Sequence, residues 1–144
     1  MSTEQNKALF RRLLDEVANK GNIALIDELV SPGVLEHEAF PGLSPDREGV
    51  KQFFTRIRQA FLDLRVTIHD EIAEGDKVVF RETWSGTHKG EFVGVAPTGK
   101  KVSFGTIDIV RIADGKIVEH WGQTDTMGLM QQLGVIPPPE QGGK

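Results

Sequence analysis

Cysteine and tyrosine are both missing from this chain of 144 residues. Without cysteine there can be neither a disulfide nor a thiolate metal site. Tyrosine's absence removes the phenol as an acid or hydrogen-bond donor. No apolar run approaches membrane-spanning length and no apolar signal segment opens the chain, so the expected location is cytoplasmic. There is no basic run, and the net charge is −4; nucleic acid and anionic membranes are therefore poor candidates for partners. The histidines at 37, 69, 88 and 120 lack a close ligand spacing such as His-Glu-x-x-His, so no metal is expected. Phosphate-loop glycines and an elbow serine are also missing. With 38% hydrophobic and 26% charged residues, what is there suits one globular domain. It is expected over residues 1–136, with a loose tail at 137–144.

The most informative stretch is Glu119-His120-Trp121-Gly122-Gln123-Thr124-Asp125. It follows Asp114-Gly115, a pair suited to a type I′ hairpin turn. Counting back from that turn sets Val110 opposite Glu119, Asp108 opposite Trp121, Thr106 opposite Gln123 and Phe104 opposite Asp125. Side chains alternate across a strand, so these residues share one face. The other face then holds Ile107, Ile109, Arg111, Val118 and His120. One bulged residue would overturn this assignment.

Upstream, Ser2-Thr3-Glu4-Gln5 has capping-box spacing, with Phe10, Leu13, Leu14 and Val17 at helical period behind it. A short helix with Leu25, Ile26 and Leu29 inward breaks near Pro32, and 34–38 reads as a strand. Ser44-Pro45 should start a long amphipathic helix with Val50, Phe53, Phe54, Ile57 and Phe61 inward. Two strands meeting at Gly75-Asp76 come next, with Asp70 opposite Arg81. The order predicts an α+β fold, helices packed on one face of a curved antiparallel sheet. Phe80, Trp84, Ile107, Ile109 and Val118 would then face water, and five apolar residues on one face predict a homodimer through it.

Gly86-Thr87-His88, Gly94 with Pro97-Thr98-Gly99-Lys100, Asp114 through Trp121, Asp125 and Gln132-Leu133-Gly134, with His37, Pro41-Gly42 and Glu48-Gly49 upstream, together resemble the SnoaL-like polyketide cyclase family. The resemblance covers nearly the whole chain. It implies the cone-shaped α+β barrel of the nuclear transport factor two superfamily, with N-terminal helices on the concave face and a pocket between helices and sheet. It also implies a metal-free and cofactor-free aldol ring closure on a small hydrophobic carbonyl compound, or else a non-catalytic module holding such a molecule.

In that reading Asp125 matches the general acid/base, Asp108 an oxyanion donor of related ketosteroid isomerases, and His37 their base. Trp121 would be an aromatic wall and Gln123 an orienting amide, with Thr106, Phe40, Phe53 and Ile57 as further lining. Alternatives remain: Asp125 could cap the turn before Met127, Asp108 could be held by backbone or indole donors, His37 could be structural, and Trp121 could be core. The isomerase activity would need a tyrosine, and the limonene epoxide hydrolase pattern needs an arginine where Thr106 stands. Both are disfavoured.

Overall fold

The computed structural model describes residues 2–137; of the tail expected at 137–144, positions 138–144 lie outside the described residues. Helix α1 (Thr3–Leu13) begins with the expected capping box. Gln5 N–H donates to Ser2 Oγ at 3.1 Å and Ser2 N–H to Gln5 Oε1 at 2.9 Å. A wider π-helical turn, Leu14–Asn19, carries the helix on. The amide of Asn19 then clips the turn to a strand, donating to Val66 O and accepting from Val66 N–H. The short α2 (Ile26–Leu29) runs into β1 (Val30–Glu36). Helix α3 (Arg47–Ala60) is capped by Asp46, which accepts from Gly49 N–H, rather than by Ser44, whose hydroxyl instead supports Asp46.

The remaining strands are β2 (Arg65–Glu74), β3 (Lys77–Thr87), β4 (Lys101–Ala113) and β5 (Lys116–Thr124), followed by α4 (Thr126–Leu133). They form one curved sheet in the order β1-β5-β4-β3-β2, antiparallel except that β1 runs parallel to β5. The α+β architecture is thus the expected one, with a single parallel edge pairing added.

Strand β4 is the ruler of the sheet. Val102, Phe104, Thr106, Asp108, Val110 and Ile112 are all buried, in strict alternation with more exposed neighbours. Its partner β3 follows in phase, with Phe80 opposite Asp108 and Glu82 opposite Thr106. That register puts Phe80, fully buried, and Trp84, 5% exposed, on the helix-covered face. The expected outer face loses both residues, because they follow Asp108 and not Ile107. Ile107 is 47% exposed, and Ile109 and Val118 are half-buried. Across the sheet Phe80 meets Phe10 of α1 at 4.8 Å between ring centroids.

Two strands depart from simple alternation. In β2 the Asp70–Arg81 pair is found as expected, joined by an ion pair at 2.6 Å, but His69 is an extra residue. Beyond it, Val66 turns to the covered face with Trp84. In β5 the turn is the expected one, Asp114 and Gly115 both having positive φ, and Ala113 lies opposite Lys116. The register then slips at Val118, so that Arg111 faces Glu119, Val110 faces His120, Ile109 faces Trp121 and Asp108 faces Gly122. Glu119, His120 and Trp121 therefore lie on the faces opposite to the expected ones. Among the described residues no helix is long and apolar enough to cross a membrane.

If Phe80 is core, Phe80→Ala should lower stability by about 3–5 kcal/mol through the cavity it leaves. Ile107→Ser on the outer face should stay within about 0.5 kcal/mol of wild type. Urea unfolding midpoints compare the two directly, and equally small losses at both positions would return Phe80 to the surface.

Candidate active site

A cavity of about 340 Å3 opens between the helices and the covered face of the sheet, within the size range of small-molecule sites. Phe53, Phe54 and Ile57 of α3 form one wall, and Trp84 and Phe104 belong to the opposite one. Phe40, from the loop after β1, packs on Phe53 with 4.8 Å between centroids, and Phe54 stacks on Trp84 at 6.3 Å. An aromatic enclosure of this kind takes up flat apolar ligands.

The polar part of the cavity is a row laid across adjacent strands. Glu36 comes from β1, His120 from β5 and Asp108 from β4, and all three line the cavity. Asp108 is only 7% exposed. His120 Nδ1 lies 2.6 Å from Glu36 Oε1 and its Nε2 lies 2.7 Å from Asp108 Oδ1. A ring nitrogen that faces a carboxylate must donate, so both nitrogens carry protons and the ring is an imidazolium. Burial works against that charge. The hydrogen bonds to Asp108 and Glu36, together with their charges, outweigh it and raise His120 to about 10. Asp108 reaches the ring because Gly122 lies opposite it. A Cβ there would stand 2.8 Å from Asp108 Oδ1 and 3.2 Å from His120 Cε1.

Strand β3 extends the row with Glu82, which is 1% exposed and accepts from Trp84 Nε1–H at 2.9 Å. Burial first, and then the Asp108 charge and a hydrogen bond with it, push this carboxyl far above the usual range.

Of the residues expected at the site, Asp108, Thr106, Phe40, Phe53 and Ile57 line the cavity, as does the largely exposed Gln123. Asp125 is exposed and caps α4, accepting from Gly128 N–H at 2.9 Å. Thr124 and Thr126 on either side of it line the cavity, but Asp125 does not. His37 and Trp121 stand on the outer face, stacked at 4.9 Å with 9° between their planes. There Glu119 bridges His37 at 2.7 Å and Arg111 at 2.8 Å. The Val118 bulge is the reason: it turns His120 inward and Trp121 outward.

Sequence reasoning missed Glu36, Glu82 and His120. Alternation along β1 does set Glu36 opposite in sense to His37, which was the available signal for the first. Glu82 shares its strand face with Phe80 and Trp84, which was the signal for the second. Nothing in the residue pattern marks the bulge that brings in His120. Among the described residues no cluster has the arrangement of a metal site.

The family model for "SnoaL-like polyketide cyclase" matches residues 8–133. The chain is 32% identical to aklanonic acid methyl ester cyclase DnrD of Streptomyces peucetius over 151 aligned positions, covering 99% of this chain and 98% of that protein. Among solved structures it is similar to TsrD from Streptomyces laurentii, with a TM-score of 0.86, 31% identity and coverage of 94% of this chain and 99% of the other. It is equally similar to AclR from Streptomyces galilaeus, a hydroxylase candidate, with a TM-score of 0.85, 31% identity and coverage of 97% and 87%.

An unperturbed histidine titrates near about 6.5. Carbon-13-labelled His120 should instead stay an imidazolium between about pH 5 and 8, while Asp108→Asn, which removes one hydrogen bond and one charge, should bring its transition into that window. The folded-state value lies above the unfolded one. The bridge therefore stabilises the fold fully below about pH 6.5 and loses that contribution as pH climbs toward about 10. The stability gap between wild type and Asp108→Asn should narrow over the same range. Wild-type titration near 6.5 would remove the imidazolium from the site.

Proposed function

Since the chain belongs to the SnoaL-like polyketide cyclase family, we propose that it closes a ring by an aldol-type reaction within a hydrophobic carbonyl compound, with its own side chains as acid and base. The observation that carries this reading is Asp108, buried in an apolar cavity and hydrogen-bonded to an imidazolium. In the proposed step Asp108 takes a proton from the carbon next to one carbonyl of the substrate. The resulting enolate forms a carbon–carbon bond to a second carbonyl, and the new alkoxide takes the proton back. No atom is gained or lost. The positive His120 beside Asp108 stabilises the negative charge that develops on the enolate and then on the alkoxide. Apolar walls shield the enolate from water and hold the two reacting carbons together, which supplies orientation.

The charge of the row bears on the substrate. Glu36, Glu38 and Asp108 border the cavity against the single positive ring of His120, an excess of acid that favours an uncharged ligand such as an ester over a free acid. This agrees with the methyl ester for which the relative DnrD is named. We further propose a homodimer through the outer face, supported now by exposed Ile107 and the neighbouring Trp121–His37 stack; a monomer mass by light scattering at micromolar concentration would withdraw it.

Asp125 and Asp108 make opposite predictions. Incubated with aklanonic acid methyl ester, Asp108→Asn should turn over about 10²–10⁴-fold more slowly than wild type, the usual contribution of a general acid–base group. Asp125→Ala should keep its turnover per folded molecule and lose about 1 kcal/mol of stability, as for a lost helix cap. If the Asp125 variant loses the turnover and the Asp108 variant keeps it, the acid/base is the exposed aspartate and this mechanism is wrong.

A further inference from the structure

Glu82 has no place in the chemistry above, because it does not border the cavity. It is nevertheless the most deeply buried acid of the row, and its two oxygens differ. Oε1 accepts from the Trp84 indole N–H at 2.9 Å. Oε2 is cut off from solvent and meets no donor among the described residues. The acid next to it is Asp108. Glu82 lies opposite Thr106 and Phe80 opposite Asp108, so the two carboxyls are diagonal neighbours on the same covered face of β3 and β4. Asp108 acts on Glu82 by charge and hydrogen bond. Two facing acceptors cannot both be satisfied unless one of them carries a proton.

The charge count says which. The row holds one cation, His120, and that ring already spans Glu36 and Asp108 with both of its nitrogens. A third carboxylate would be buried without a counter-charge, a state that costs several kcal/mol and is escaped by protonation. No other titratable group relieves it. On β2 the residue beside Glu82 is Ile68. The buried face of α1 is Asn6, Leu9, Phe10 and Leu13, and that of α3 is Gly49, Phe54, Ile57 and Ala60. Only Asp108 of β4 and His120 of β5 bring charge to Glu82.

We propose that Glu82 is a positioning residue: as the neutral acid it donates its O–H to the Asp108 carboxylate from the β3 side, while His120 donates from the β5 side. Asp108 is thereby held between two donors and presents a fixed edge to the cavity. Trp84 completes the device, because its N–H holds Oε1 and leaves the acid proton to Oε2, the oxygen without a donor. The indole ring itself belongs to the cavity wall, so the wall and the acid are tied by one hydrogen bond. This role rests on the reading of Asp108 as the group that meets substrate.

A glutamine can reproduce the proposed arrangement. Its amide N–H donates to Asp108 and its carbonyl accepts from Trp84. A leucine fills similar space and does neither. The test is a carbon-13 NMR titration of the side-chain carboxyls and of the His120 ring in wild type, Glu82→Gln and Glu82→Leu, which requires no substrate. Glu82 should show the shift of a protonated acid throughout about pH 5–8, where a free glutamate titrates near about 4.3. Glu82→Gln should leave the Asp108 side-chain carbon signal and the His120 transition where they are. Glu82→Leu should displace the Asp108 carbon signal at neutral pH, because one of its two donors has gone. With aklanonic acid methyl ester as the probe, kcat/KM per folded molecule should fall in the leucine variant alone. Should Glu82 titrate as an ordinary carboxylate, or the glutamine variant shift Asp108 as the leucine variant does, the proposal fails. If Glu82→Leu does not fold, the Glu82 titration in wild type and the unmoved Asp108 carbon signal in Glu82→Gln still decide it. Absence of turnover in wild type would overturn the functional reading alone, since the titrations report the Glu82–Asp108 proton without it.

Discussion

One half-buried cation sits between two carboxylates, and much of the sheet is arranged so that it can. His120 is held by Glu36 on one side and Asp108 on the other, at 2.6 and 2.7 Å. Taking three charges out of water is expensive, and their mutual attraction offsets the expense only at good geometry with the remaining donors and acceptors satisfied. The fold supplies that geometry from separate strands. Strand β1 joins the sheet in parallel and sets Glu36 beside His120, and Glu36 Oε1 also accepts from Glu38 N–H. The glycine at 122 leaves room for the Asp108 carboxyl. A single substitution in this row changes the charge balance of the whole, because each group is satisfied by its neighbours and not by solvent.

The apolar half of the structure follows from the same frame. The alternation along β3 and β4 places Phe80, Trp84 and Phe104 on the face that carries Asp108. Helices α1 and α3 then cover that face with Phe10, Phe54 and Ile57, but not completely: the uncovered volume becomes the cavity. Its α3 wall is aromatic and aliphatic, and Glu36, His120 and Asp108 come to it from the strand side. An apolar molecule in it thus packs on α3 while facing the charged row on the sheet, which is how a site can be both hydrophobic and chemically specific.

Much of this was legible in the residues. The capping box at Ser2 and Gln5, the Asp114-Gly115 turn, the Asp70–Arg81 pair and the helical stripe through Phe53, Phe54 and Ile57 each have a local physical cause, and each is found. The resemblance carried the family and the α+β frame. Placement of individual site residues failed where the cause was not local. Trp121 and His120 exchanged faces because one inserted residue, Val118, reverses a period-two pattern without changing composition or hydrophobicity. At Asp125 the motif identifies the residue but not its bonds; the start of a helix immediately after it, with Gly128 N–H in reach, makes it a cap. Phe80 and Trp84 were misplaced for a third reason: the link between β3 and β4 is long, so their relative phase could not be counted from a turn.

The bulge at Val118 has consequences on both faces, and they are linked. Without it, Glu119 and Trp121 would point into the cavity, and His120 would stand outside among Arg111 and His37. A glutamate would then lie on the Asp108 face with no imidazolium between them, leaving like charges adjacent in a low-dielectric site. With the bulge, the cation goes in and Glu119 goes out, where Arg111 and His37 pair with it and bring its carboxyl below the usual range. Trp121 moves out with it, stacking on His37 and lying beneath Lys77 Nζ at 5.3 Å. Each side chain of the Glu119-His120-Trp121 run thus meets a partner of complementary chemistry in the bulged register and loses it in the regular one. The charges of the two faces therefore select the register as firmly as the apolar residues do, and the irregularity is what allows the buried row to exist.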